Sequence, residues 1–140
     1  MEICEFSIKE YDDVVRVWKS AGLVIGRSDS QIEIKKKLLR DPELFLVAKV
    51  KEQLIGAVIG GFDGRRGWIH HLAVDPNFQK QNIGKKLLKE VEKRLYKLGA
   101  IKINLLVLPD NKVTDFYENL GYNYGSKPIL MEKWIENIEY

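Results

Sequence analysis

Hydrophobic positions change period several times along the chain, and each change marks an element. Residues 2–8 read as an edge or near-edge strand. Tyr11, Val14, Val15 and Trp18 then recur at i, i+3, i+4, i+7, the buried stripe of an amphipathic helix ending near Gly22. A second, short helix follows. Ser30-Gln31-Ile32-Glu33 has the form of a capping box at its start, and Pro42 stops the chain from continuing it. Residues 44–50 and 54–62 are apolar, β-rich runs separated by Lys51-Glu52-Gln53, the pattern of an antiparallel hairpin. The turn signal Asp63-Gly64-Arg65-Arg66-Gly67 opens a second hairpin, whose return strand over residues 68–74 is ended by Asp75-Pro76.

The longest helix covers residues 84–98. Leu87, Leu88, Val91, Leu95 and Leu98, joined by Ile83 just before, share one face with lysines and glutamates opposite, and Gly99 supplies the stop. Residues 100–107 read as a buried strand closed by Pro109 and Asp110. Val113, Phe116, Tyr117 and Leu120 form the stripe of a last helix that ends at Gly121, and residues 122–134 contain a final strand. The order β-α-α-β-β-β-α-β-α-β predicts an α/β (α+β) fold, a mixed sheet with helices on its faces, in a single domain over residues 1–140.

Composition narrows the classes of function. With 140 residues, 45% hydrophobic and 31% charged, the chain can bury a real core, so disorder and collagen are excluded. Cys4 stands alone, which rules out an intramolecular disulfide and a multi-cysteine zinc site and predicts a reducing, cytoplasmic setting without a metal. No stretch approaches the ~18 apolar residues of a membrane span, and Glu2 and Glu5 stand where a signal peptide would be basic. No membrane partner is expected. A net charge of +3, from 23 Lys plus Arg against 20 Asp plus Glu, is too mild and interspersed to indicate nucleic acid, and Lys35-Lys36-Lys37 reads as a solvated helix face. An anionic small ligand remains compatible.

Candidate chemistry concentrates between Leu72 and Lys86, where a strand ends and a short loop enters the long helix. A helix N-terminus carries unpaired N–H groups and the positive end of the helix dipole, which together bind phosphate if the backbone can come close. Gly84 permits that approach. Asn82 tolerates positive φ, so residues 79–85 can curl into an anion-binding nest. A Walker A loop is excluded because Gln79 and Lys86 stand where it needs a glycine and a Ser or Thr, and no G-x-G-x-x-G follows a strand.

The block Leu72-Ala73-Val74-Asp75-Pro76-Asn77-Phe78-Gln79-Lys80-Gln81-Asn82-Ile83-Gly84-Lys85-Lys86-Leu87-Leu88 resembles the pyrophosphate motif of the GNAT superfamily of acetyl-CoA-dependent N-acetyltransferases. That motif is Gln/Arg-x-x-Gly-x-Gly/Ala. Gln79 and Gly84 are in place, and Asn82 stands where glycine is usual. Asn111 with Phe116-Tyr117-Glu118-Asn119-Leu120-Gly121-Tyr122 resembles the family motif on the helix after the fifth strand. The resemblance spans nearly the whole chain, whose length is similar to small bacterial members of the YpeA type. It implies a mostly antiparallel central sheet and acetyl-CoA as cosubstrate, with the diphosphate held by Gln79, Lys80, Gln81, Asn82, Ile83, Gly84 and Lys85. Asparagine tolerates the left-handed conformation, so a slightly costlier loop, rather than a lost site, is expected. The resemblance further implies that the fourth strand, with Leu72, Ala73 and Val74, is splayed from the fifth and pairs through its exposed backbone with the pantetheine arm. Tyr117 matches the family tyrosine that hydrogen-bonds the leaving sulfur. Asn111, an N-cap by its position, would also contact the cosubstrate.

Acyl transfer to an amine needs a neutral nucleophile, a polarised thioester carbonyl and a proton source for the departing thiolate. A backbone N–H near Val74 is the natural donor to the carbonyl. Some relatives place a glutamate base on the fifth strand, where this chain has Leu105 and Leu106. His70 and His71 are then the candidates, alternate strand positions putting one of them on the cofactor face, and His71 ranks above His70. The expected function is transfer of acetyl to a primary amine of a small molecule, protein or peptide, by direct attack in a ternary complex, by a monomer or homodimer. The alternative is a non-catalytic acyl-CoA-binding regulatory module. The acceptor pocket is expected between the first two helices, their loop and the last strand, where Trp18, Arg27, Asp63 and Trp68 could line it.

Overall fold

The computed structural model describes residues 1–107, 113–126 and 128–135. The chain divides into two units, Met1–Leu106 and Val107–Tyr140. In the first, strands β1 (Glu2–Glu5), β2 (Phe45–Val50), β3 (Gln53–Phe62), β4 (Gly67–Val74) and β5 (Ile103–Leu105) form one sheet in the order β1-β2-β3-β4-β5. Neighbours are antiparallel except β4 and β5, which run parallel. Helices α1 (Tyr11–Ser20), α2 (Gln31–Arg40) and α3 (Ile83–Leu98) connect them. The mostly antiparallel α/β architecture expected from the sequence is the one observed.

Local chemistry explains where the boundaries differ from the pattern. β1 ends at Glu5 rather than at residue 8, because Ser7 starts a 3-10 turn and its N–H donates to Glu10 Oε1 at 3.1 Å. At the start of α2 the Ser30 hydroxyl accepts from Glu33 N at 3.4 Å, the expected N-cap. The β2–β3 turn is Lys51-Glu52, with φ of 48° and 69°, a primed turn built without glycine. Gly99 ends α3 at φ 105°, and the following Ala100 N–H bonds back to Leu95 O while Ile101 N bonds Arg65 O. Those bonds use up the start of the expected 100–107 strand, so β5 keeps only three residues. Leu98, placed on the buried stripe by its spacing, instead lies 43% exposed in this last turn. Lys37 is not part of a solvated face: its ammonium turns inward to the Asp41 carboxylate at 3.0 Å and to the Gly60 carbonyl. Lys35 and Lys36 are exposed.

The sheet is covered on both faces. On one, Val14, Val17 and Trp18 of α1 and Ile34 of α2 pack with Phe45, Val47, Ala57, Ile59 and Ala73. Phe6 stacks on Phe45 at 4.3 Å. On the other face lies α3, with Ile83, Leu87, Leu88, Val91 and Leu95 buried. Close approach there requires missing side chains: a Cβ at Gly60 would stand 2.7 Å from Val91 Cγ2, and one at Gly67 2.9 Å from Leu95 Cδ1. Alternation along β3 therefore gives α3 the even positions 56 and 60 and α1 the odd positions 57 and 59. Arg94 ties α3 to β1 and to the segment before β2, through Glu5 Oε2 at 3.2 Å and Glu43 O at 2.9 Å.

Among its described residues the second unit holds one short helix, α4 (Thr114–Glu118), followed by a turn in which Gly121 takes φ 93°. The strand expected within residues 122–134 does not form among the described residues. Gly125 and Pro128 give the reason: one weakens a strand and the other removes a ladder donor.

Gly60→Ala should destabilise the fold by about 1–3 kcal/mol, because the branched Val91 cannot swing away from the added methyl. Gly61→Ala meets its nearest atoms at 3.7 Å and should fall well short of that loss. Urea unfolding midpoints of the two variants measure the difference.

Candidate active site

The β4 strand is half paired on one side. β5 meets Gly67, Trp68 and Ile69 and then ends, so residues 70–74 face that side with no described strand alongside. On its other side β4 remains zipped to β3, except for a bulge at which Val58 alone opposes His71 and Leu72. His71 takes φ 49° there. Leu72 and Val74 are half-buried, while Ala73 belongs to the core beneath α1.

Beyond β4 the chain turns into α3. Asp75 is buried, caps the Asn77 N–H at 2.9 Å and receives Arg16 Nη1 of α1 at 3.4 Å; Arg16 Nη2 also donates to Leu54 O at 3.0 Å. Gln79 Nε2 donates back to Val74 O at 3.1 Å, which closes the loop over the end of the strand. Lys80 and Asn82 both stand at left-handed φ, 64° and 62°. Asn82 thus adopts the conformation expected of it, while the reversal at Lys80 has no signal in the sequence. Asn82 leaves α3 without a side-chain cap, so the N–H groups of Ile83, Gly84 and Lys85 open the helix unpaired by any side chain. Lys85, Lys86, Lys89 and Lys93 line a groove of about 620 Å³ beside this corner and add positive potential to it.

The histidines depart from the expected alternation. The bulge adds a residue to β4, so His70 and His71 both lie on the α1 face: His70 Nε2 is 3.7 Å from the position of a Cβ on Gly61, and His71 packs edge-on against Trp18 at 4.9 Å. His71 Nε2 lies 2.8 Å from Asp29 Oδ1. His70 keeps an exposed surface, yet surrounding protein atoms shield its ring, and that desolvation first, then the nearby His71 and Lys37 charges, holds its pKa below the ordinary value.

Asp29, which sequence reasoning passed over, is buried and fully engaged. Its Oδ2 accepts from Gly26 N at 2.9 Å and its carbonyl from the Tyr11 hydroxyl at 2.6 Å. Only a contact across 42 residues of sequence exposes its link to β4. Of the other residues suggested for an acceptor pocket, Trp18 is fully buried and Asp63 instead accepts the N–H groups of Arg65 and Arg66 in the β3–β4 turn. Trp68 is half-buried, and Arg27 sits in the same 3-10 turn as Asp29.

In the second unit Tyr117 stands on α4 between Phe116 and Tyr122, ring centres at 5.1 and 5.7 Å, and burial pushes its phenol above the ordinary pKa. Asn111 lies outside the described residues.

The chain matches the acetyltransferase (GNAT) family over residues 11–122 and belongs to it. It is an acetyltransferase with acetyl-CoA as cosubstrate. Over full length it is similar to an acetyltransferase of Sodalis glossinidius (strain morsitans), 37% identical, and to one of Pectobacterium atrosepticum, 38% identical, each comparison covering 100% of both chains. Among solved structures, the fold is similar to PaiA N-acetyltransferase from Thermoplasma acidophilum in complex with coenzyme A, at TM-score 0.82 and 23% identity, covering 91% of this chain and 92% of that one. It is also similar to Ard1 from Thermoplasma volcanium, at TM-score 0.80 and 23% identity over 89% and 84% of the two chains.

Replacing Asn82 by valine puts a β-branched residue at φ 62°, a strain of about 1–2 kcal/mol that should weaken coenzyme A roughly tenfold in calorimetry. Asn82→Gly, which relieves the strain, should bind more tightly than the valine variant.

Proposed function

We propose that this chain moves the acetyl group of acetyl-CoA to a primary amine by direct attack in a ternary complex. The observation that carries the reading is the coincidence of the β4 edge at residues 70–74, which no described strand accompanies on the β5 side, with the start of α3, which has no side-chain cap. The residues suit the cosubstrate. An extended, amide-bearing arm needs backbone partners in a row, which Leu72, Ala73 and Val74 offer; a diphosphate needs N–H donors and positive charge, which residues 79–85 offer. When bound, acetyl-CoA supplies an activated thioester.

The chain's own groups do the rest. A β4 N–H near Val74 polarises the carbonyl. His71 takes a proton from the amine as the new C–N bond forms and the C–S bond breaks. Tyr117 gives its hydroxyl proton to the departing thiolate; a phenol whose pKa is raised by burial stays protonated and able to donate. Asn111 contacts the cosubstrate; the helix that it was expected to cap starts instead at Thr114, with Val113 as its N-cap. Cys4 is a poor candidate for an acyl-enzyme: it sits on β1, with β2 and β3 between it and β4, and burial raises its thiol pKa. The acceptor is a small-molecule or peptide amine approaching from the side of α1 and α2, and the working form is a cytoplasmic monomer or homodimer.

Thiol release from acetyl-CoA across a panel of amines tests this. The wild type should turn over at least one amine, and Tyr117→Phe should lower kcat at least tenfold with KM for acetyl-CoA little changed. Tight coenzyme A binding with no turnover on any amine would instead identify a non-catalytic acyl-CoA-binding module, the reading favoured by Leu105 and Leu106 on and beside β5 in place of an acid.

A further inference from the structure

The pairing of His71 with Asp29 has chemical content beyond packing. A carboxylate only accepts hydrogen bonds, so at the 2.8 Å contact Nε2 carries the proton, and the neutral form of the His71 ring has its lone pair on Nδ1. The carboxylate cannot easily rotate away, since Gly26 N holds its other oxygen and Tyr11 holds its carbonyl. Trp18, itself fully buried, closes on the ring at 4.9 Å. These contacts hold the imidazole in one orientation and favour one tautomer of its neutral form, although its side chain stays 26% exposed. The bulge that turns His71 towards Asp29 falls within residues 70–74, the stretch of β4 left unpaired by β5.

We infer that Asp29 is a positioning residue for the acetyl transfer: it holds His71 in the Nε2–H tautomer so that Nδ1 receives the proton from the attacking amine. This rests on the reading of His71 as the base. During the transfer one proton passes from the amine nitrogen to Nδ1, and the imidazolium so formed is stabilised by the carboxylate already bonded to Nε2. The loop between α1 and α2 thereby takes part in the chemistry through β4.

Asp29→Asn separates this role from a structural one. The asparagine oxygen can still accept from Gly26 N, which keeps the loop folded, but its amide then presents N–H to Nε2. His71 must accept there and carry its proton on Nδ1, the nitrogen needed as base, by the tautomer logic of the Ser-His-Asp triad. Long-range proton–nitrogen spectra of histidine-labelled protein should show the Nε2–H tautomer for His71 in the wild type and Nδ1–H in Asp29→Asn. With an amine that the wild type acetylates, kcat should fall roughly 100-fold or more while KM for acetyl-CoA stays close to wild type. An Nδ1–H tautomer in the wild type, or undiminished kcat in a variant whose tautomer has switched, overturns the proposal. If the wild type turns over its amine while His71→Gln does so equally well, the base assignment falls and the positioning role falls with it, but acetyl transfer stands. A wild type that acetylates no amine overturns the transfer reading itself. Should Asp29→Asn fail to fold, Asp29→Ser, which keeps an acceptor for Gly26 N but is too short to reach His71, should show mixed tautomers and a comparable loss of kcat; a single Nε2–H tautomer with full kcat in that variant overturns the proposal.

Discussion

The backbone on one side of β4 is where the structure is held open. A strand in the interior of a sheet normally has both rows of polar groups paired, because a buried N–H or C=O left without a partner is costly. Here β5 accompanies β4 for three residues and stops, while β3 stays paired on the far side. The opening persists because other elements hold the sheet without it. The glycines at 56, 60 and 67 let α3 lie directly on one face, and α1 and α2 close the other. With both faces fastened, the core does not depend on a strand beside residues 70–74 of β4, where none is found among the described residues.

Two consequences follow from where the opening lies. It is immediately ahead of the turn into α3, so an unpaired strand edge and an uncapped helix start are consecutive in the chain. It also contains the His71 bulge, which turns an extra side chain toward α1 and the loop before α2. The edge of β4, the two histidines and the start of α3 therefore all come from one short stretch, residues 70–85. Arg16, bridging α1 to Asp75 and Leu54 O, ties that helix to the end of β4.

Much of this was legible in the sequence, for identifiable reasons. Apolar, β-rich runs and turn residues locate β2, β3 and β4, and the stripe from Ile83 to Leu95 locates α3, because each is a local pattern of burial. The left-handed Asn82 is legible because few residue types tolerate that conformation. Features decided by distant neighbours are less so. Val58 opposing two residues reflects strand register and hides in a sequence that reads as simple alternation, so both histidines could not be assigned to one face. Lys37 reads as solvated until the Gly60 carbonyl is placed beside it. Asp29 looks like a loop residue until α1, its own loop and β4 are brought together.

The most direct measurement is a crystal structure of the protein with coenzyme A. The account predicts the pantetheine amides hydrogen-bonded to the β4 backbone within residues 70–74 and the diphosphate on the N–H groups opening α3. Coenzyme A bound elsewhere, or β5 lengthened to pair with β4 through Val74 so that no edge remains, would contradict it.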